Sequence, residues 1–269
     1  SATNTYTKTA AFTLTGGATD NTGLGSVSVS LGAAVQTVTT LPDTSTSPLS
    51  TTWNAPITLL PGLNTVTATA TDTSNNVTSA TRTINLDTQV PTISIANPVN
   101  GSTVNTATVS LNGSASDNTG VATMDYQLNG APAVIITPPA GGTGTWPSGS
   151  AITITPVSGV NTVTVHAFDR AGNVATASSS FTYVAPTFSI AISPNTATSA
   201  PVGQTITSYS VTATSANGFV GSVGLTGLST PTGMGITFGT PTLSLLANGT
   251  ATSTISITTD SLNPGVYSV

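Results

Sequence analysis

The sequence predicts an all-β protein of three tandem β-sandwiches, the first and last incomplete within the chain, and three observations carry that reading. The first is composition. Of 269 residues only 4% are charged, Glu and Cys are absent, and Thr makes up about a fifth. Good helix formers such as Glu, Lys and Arg are nearly missing, whereas Thr and Val suit a pleated surface. The second is an alternation of apolar and hydroxyl side chains with period two in segment after segment. The third is an internal repeat: Asp20 and Asp117, Gly62 and Gly159, and Asp72 and Asp169 are each separated by 97 positions. A period near 100 residues corresponds to one small sandwich rather than to a solenoid unit.

The repeat fixes the strands in order. Gly16-Gly17-Ala18-Thr19-Asp20-Asn21-Thr22-Gly23-Leu24 returns as Gly113-Ser114-Ala115-Ser116-Asp117-Asn118-Thr119-Gly120-Val121, and Gly62-Leu63-Asn64-Thr65-Val66-Thr67 as Gly159-Val160-Asn161-Thr162-Val163-Thr164. Val27, Val29 and Leu31 alternate with Ser28 and Ser30, which places the apolar set on a core face and the hydroxyls on a solvated one. In the second repeat the expected strands are Thr92–Ile95, Thr108–Ala115, Val121–Leu128, one around Ile152–Ile154, Asn161–Phe168 and Val174–Tyr183. A variable middle holds Pro138-Pro139 and Gly141-Gly142, and seven strands in all fit an immunoglobulin-like topology. Asn-Thr-Gly, Pro-Gly and Ala-Gly-Asn clusters supply the turns.

From Pro186 the texture changes. Phe188-Ser189-Ile190-Ala191-Ile192 opens a third sandwich of another subtype, which Thr254–Thr259 and Pro264-Gly265-Val266-Tyr267 close. The expected domains are therefore 1–88, 89–185 and 186–269. The first lacks the strand that Thr92–Ile95 gives the second, and the third stops where a final strand begins. An incomplete sandwich exposes an unpaired edge. Either the chain is a piece of a longer array, which is the favoured reading, or neighbouring copies complete it by strand complementation.

Composition also excludes functions. Three basic residues, Lys8, Arg82 and Arg170, cannot neutralise a phosphate backbone, so nucleic acid is not an expected partner. The longest aliphatic stretch, Ala133–Ile136, is far too short to span a bilayer. No signal peptide stands at Ser1-Ala2-Thr3-Asn4. A surface solvated by hydroxyls and amides rather than charges reads as extracellular, and the absence of Cys removes disulfides and thiol catalysis.

The Asp-Asn-Thr-Gly turn, the Gly-x-Asn-Thr-Val-Thr strand and the Asp-x-x-x-Asn-Val hairpin resemble bacterial Ig-like repeats of surface proteins and adhesins, over residues 1 to about 185. Residues 186–269, with Gly203-Gln204-Thr205, Gly218-Phe219-Val220-Gly221 and Pro264-Gly265-Val266-Tyr267, resemble the Ig-like module appended to secreted bacterial and archaeal proteins. The resemblance implies the fold and an extracellular, cell-surface setting. It implies no activity, because such modules serve adhesins, filaments, surface layers and hydrolase tails.

The candidate sites are few. Asp117, Asn118, Asp169 and Asn173 fall in two loops at one pole of the second sandwich, and the incoming linker brings Asp87. Three carboxylates and two amide oxygens there could hold Ca²⁺, which takes 6–8 oxygen ligands, an arrangement resembling the metal-stiffened junctions of cadherin-like adhesins. The simpler alternative, which is favoured, is that Asp and Asn cap their own turns and need no metal. The linker Val184-Ala185-Pro186 has no carboxylate, so a second junction of this kind is not expected. His166 falls on an outward face with no triad to join, and an enzyme is not expected. Trp53 and Trp146, in equivalent stretches before the fifth strand, suit packing better than a sugar-stacking platform. Asn76, Asn100, Asn112 and Asn248 stand in Asn-x-Ser/Thr sequons and are candidates for glycosylation.

The expected role is an extracellular structural or adhesive array, a stalk or filament. Its partners would be like copies or neighbouring domains, or a surface glycan or protein receptor. The alternative is a non-catalytic spacer or carbohydrate-binding region of a secreted hydrolase.

Overall fold

A computed structural model of the chain describes residues 5–32, 34–38, 49–196, 201–227 and 232–259. Strands dominate, in three successive pairs of sheets. The first pair comprises β1 (Thr5–Thr7), β2 (Ala11–Asp20), β3 (Leu24–Leu31), β4 (Ala34–Val38), β5 (Leu49–Thr58), β6 (Gly62–Asp72) and β7 (Val77–Leu86). One sheet runs β1-β7-β6-β3-β4, with β1 parallel to β7, and β2 pairs β5 in the other. Alternation decides which side chains meet between them: Leu14, Trp53, Ala55 and Ile57 from one sheet pack with Val27, Val29, Val66, Ile84 and Leu86 from the other.

The second pair comprises β8 (Thr92–Asn97), β9 (Thr103–Val104), β10 (Val109–Ser116), β11 (Val121–Leu128), β12 (Val134–Ile136), β13 (Gly144–Trp146), β14 (Ile152–Ile154), β15 (Gly159–Asp169) and β16 (Val174–Tyr183). One sheet is β12-β11-β15-β16-β9; in the other β10 is flanked by β8 and by β13 and β14. The 97-residue repeat is reproduced to the residue: β3, β6 and β7 share both bounds with β11, β15 and β16 at that offset. The count of seven strands is corrected to nine. The six strands located by residue in the sequence are joined by three more, β9, β12 and β13, which are two or three residues long and too short to display an alternation.

Both tryptophans lie within strands rather than before one. Trp53 pairs with Gly16 and Trp146 with Gly113, across equivalent ladders. The glycines make room for the indoles: a Cβ on Gly113 would lie 2.7 Å from Trp146 Cζ2 and collide with the Ser94 carbonyl, and one on Gly16 would meet Trp53. Trp53 and Trp146 keep 8% and 1% of their exposure. This is core packing, and neither ring offers a face on which a sugar could stack.

The third pair comprises β17 (Thr187–Ser193), β18 (Thr205–Ala216), β19 (Gly221–Gly224), β20 (Gly235–Phe238), β21 (Thr242–Leu245) and β22 (Thr250–Thr258), as sheets β17-β18-β22-β20 and β19-β21. Val211, Met234, Ile255 and Ile257 form one small core, and Ala213, Val223, Leu243 and Leu245 another. The closing strand expected at Pro264–Tyr267 lies outside the described residues.

The chain is an all-β array of tandem immunoglobulin-like sandwiches. By compactness it divides into two units, one of Ser1–Asn100, Ser110–Thr153 and Thr162–Ser179, the other of Gly101–Val109, Ile154–Asn161 and Ser180–Val269. Among the described residues no helix is long and apolar enough to cross a membrane.

Candidate functional site

The loop joining β10 to β11, the loop joining β15 to β16 and the segment leaving β7 converge within the first compact unit. Each loop is shaped by an aspartate that accepts hydrogen bonds from its own turn. Asp117 Oδ1 accepts from the Thr119 backbone N–H (2.8 Å) and from Thr119 Oγ1 (2.9 Å). Asp169 Oδ1 accepts from the Asn173 N–H (2.8 Å), and Asp169 Oδ2 accepts from Asn173 Nδ2 (2.6 Å). The first repeat makes the same turns: Asp20 Oδ1 accepts from the Thr22 and Gly23 N–H groups, and Asp72 from those of Ser74 and Asn76. The backbone donors of Gly23 and then Thr22 hold the Asp20 carboxyl below the ordinary range.

Turn capping leaves two things unexplained. Asp87 caps no loop of the second sandwich, yet it is buried against both. Its Oδ2 accepts from Thr119 Oγ1 (2.6 Å), its Oδ1 from Asn118 Nδ2 (3.2 Å) and the Gln89 N–H (3.1 Å), and its carbonyl from Asn173 Nδ2 (2.9 Å). Asp117 Oδ2, in turn, is shielded from solvent and has no hydrogen-bond partner. Asp87, Asp117 and Asp169 each bring a carboxylate oxygen within 4.8 Å of the others. At that spacing, and at an effective dielectric of ~20, each pair of carboxylates repels by on the order of 3 kcal/mol.

None of the chain's three basic side chains relieves this, since the ion pair found among the described residues is His166 with Asp125. Two of the three are nevertheless close by. Lys8 Nζ donates to the Gly172 carbonyl (3.1 Å), and Arg170 Nη1 donates to Tyr6 Oη (3.1 Å) with its guanidinium 5.6 Å from the Tyr6 ring centre. Both span 164 positions of sequence and tie the first sandwich to the loop after β15. Sequence reasoning missed Tyr6, Lys8, Arg170 and Thr119. The Thr of the Asp-Asn-Thr-Gly turn was a usable signal; for the others no local pattern exists.

Of the five expected ligands, the three aspartates gather and the two asparagines join them. Asn118 and Asn173 do so as donors, through Nδ2, rather than as oxygen ligands. The cluster offers the oxygen-rich, anionic donor set that a hard divalent cation takes.

The other candidates lie apart. His166 Nδ1 sits 2.8 Å from Asp125 Oδ1 across the β11–β15 register, with the two side chains 26% and 22% exposed: a cross-strand pair on the outward face. Asn76, Asn100 and Asn248 are exposed, and Asn112 is half-buried in β10.

Residues 91–165 match the family described as bacterial Ig domain. No curated protein matches the chain in sequence. Similar solved structures include the fibronectin(III)-like modules of Clostridium thermocellum CbhA, 14% identical over 68% of this chain and 89% of that one, with a TM-score of 0.39. A 1.5-MDa bacterial ice-binding adhesin is 16% identical over 94% and 82%, with a TM-score of 0.37. A tetra-tandem repeat from the extending region of a large adhesion protein is 18% identical over 93% and 64%, with a TM-score of 0.29. At these scores the likenesses carry no argument about what this chain does.

Proposed function

We propose that this chain, whose residues 91–165 match a bacterial Ig domain, is a rigid segment of an extracellular stalk or filament, its sandwiches bounded at 1–88, 89–185 and 186–269. Its first junction is clamped by a hard divalent cation of calcium's class. The observation that carries the reading is the convergence of Asp87, Asp117 and Asp169 within 4.8 Å, with Asp117 Oδ2 shielded and unpartnered. A cation there turns mutual repulsion into attraction and fixes the segment leaving β7 against both loops of the next sandwich. Asp87, Asp117 and Asp169 would hold it, with Thr119 Oγ1, already bonded to Asp87 and Asp117, beside them. Turn capping and cation binding are compatible, because the caps of Asp117 occupy Oδ1 and leave Oδ2.

The role is mechanical. Uncharged Thr-rich faces attract few ions, and a stiffened junction transmits force or projects a distal module. A spacer beside a secreted hydrolase would use the same mechanics; a carbohydrate-binding role draws no support from the buried tryptophans. The test is calorimetric titration of the metal-stripped chain with calcium. A single site per chain, abolished by Asp87→Asn, is expected. Absence of binding, or binding that survives the substitution, sinks the clamp.

A further inference from the structure

The segment Tyr6-Thr7-Lys8 reaches the acidic cluster at two points. The Thr7 carbonyl accepts from the Asp87 N–H (2.9 Å), where β1 runs parallel to the end of β7. On either side of it, Tyr6 Oη accepts from Arg170 Nη1 and Lys8 Nζ donates to the Gly172 carbonyl. Arg170 and Gly172 lie inside the loop that Asp169 and Asn173 close on themselves. Three consecutive residues therefore bind both Asp87 and the loop that carries Asp169.

The first repeat supplies the comparison. Its loop after β6 has the same internal caps: Asp72 accepts from the Ser74 and Asn76 N–H groups and from Asn76 Nδ2 (2.7 Å). Asn75 takes the positive φ there (66°) that Gly172 takes in the second repeat (85°). The caps therefore shape each loop without outside help. The differences fall at the two positions that Tyr6 and Lys8 touch: Arg170 stands where the first repeat has Thr73, and Gly172 where it has Asn75. Glycine takes the left-handed turn without steric cost, and the arginine supplies the cation that lies over the Tyr6 ring. On the other side, Tyr6 and Lys8 correspond to Thr103 and Asn105. The shape of the loop is common to both repeats; the groups that dock it belong to this junction.

Neither sheet alone fixes the distance between Asp87, which follows β7, and Asp169, which ends β15. We propose that Tyr6-Thr7-Lys8 is a strap that sets it, and that Tyr6, Lys8 and Arg170 are positioning residues for the cation. This rests on the reading of the junction as a cation clamp and names what preorganises it. An ion that meets a loop already held in place does not have to order it. Coulomb's law alone points the other way: Lys8 and Arg170 are positive, so removing them would tighten the hold on a dication. Both are exposed, and their charge is screened at physiological salt. An exposed cation–aromatic contact is equivalent to a factor of roughly two to five in an equilibrium. Positioning therefore outweighs repulsion, and the sign of the effect separates the two.

Calorimetric titration of the metal-stripped full chain with calcium, in about 0.15 M salt, reads that sign. Lys8→Gln and Arg170→Gln should each weaken binding by roughly two- to fivefold, and the two together by roughly tenfold. Arg170→Lys keeps a cation over the Tyr6 ring and should recover most of the affinity. Melting temperatures in EDTA should move little, because charged contacts at the surface add little to stability. A fall in affinity without a fall in stability is what positioning requires. A double variant that binds calcium as tightly as the unsubstituted chain, or more tightly, overturns the strap and leaves the clamp standing. So does weaker binding that comes with a large loss of stability in EDTA. An unsubstituted chain that binds no calcium overturns both.

Discussion

Gly113→Ala is the sharpest probe of how these sandwiches are packed. Gly113 faces Trp146 across the ladder. A methyl group there would stand 2.7 Å from Trp146 Cζ2 and 2.9 Å from the Ser94 carbonyl carbon, with the Ser94 oxygen nearer still. The indole is 1% exposed and β8 lies beside the glycine, so neither neighbour can withdraw without breaking core or ladder. Backbone strain does not enter, because Gly113 is not in the left-handed region. By unfolded-state entropy alone, Gly→Ala would stabilise by about 0.4–1 kcal/mol. Overpacking costs about 1–3 kcal/mol, and the upper end applies where one obstacle is backbone. A loss of about 2–3 kcal/mol lowers the melting temperature of a sandwich of this size by on the order of 10–20 °C. Differential scanning calorimetry should show one transition displaced by that amount and the others left in place, since tandem domains need not unfold as one. Gly17→Ala, at the residue next to Gly16 but with no positive φ and no contact closer than 3.6 Å, is the neutral control. Coincident traces for the two variants would refute the stacking of indole on glycine.

Two further predictions concern each repeat's own structure. Asn64 and Asn161 are buried and clamp the loop before their strands: each accepts from the N–H of the residue four earlier, Leu60 or Val157, and donates to two carbonyls of that loop. Replacing either by Ala should cost about 2 kcal/mol by orphaning buried backbone groups, with additive losses in the double variant, read by denaturant melts. For Asp20 the native carboxyl lies below its ordinary range. The folded state therefore binds fewer protons than the unfolded one, and the contribution is present above about pH 4 and lost as pH falls through the native value. Asp20→Asn should flatten the acid limb of a stability–pH curve; an unchanged limb would contradict the backbone caps.

Periodicity carried the fold because both layers bury alternate residues. Val27 and Val29 are buried as the alternation requires, and β11, β14 and β16 fall on the strands read from the sequence. What alternation could not reach were the short strands β9, β12 and β13, and the single ten-residue β5 that the second repeat breaks into β13 and β14. Five residues separate Trp146 from Ile152 where one, Asn54, separates Trp53 from Ala55. That change hid the strand placement of the two tryptophans and the glycine opposite each. The Gly-x-Asn-Thr-Val-Thr motif was legible as a strand, but not its Asn as a loop clamp, because the acceptors are main-chain atoms. At the junction, Asp87 was found by following the linker. Tyr6, Lys8 and Arg170 reach it only through folding.

The junction clamp turns on one oxygen, Asp117 Oδ2, and Asp117→Asn changes little else: the remaining Oδ1 can keep its bonds to Thr119. The decisive measurement is the melting temperature of the chain and of Asp117→Asn, each in EDTA and in calcium. Without metal the substitution removes repulsion among three carboxylates, and the variant should melt higher; with calcium it removes a ligand, and the variant should melt lower. The same ranking in both buffers would contradict the account.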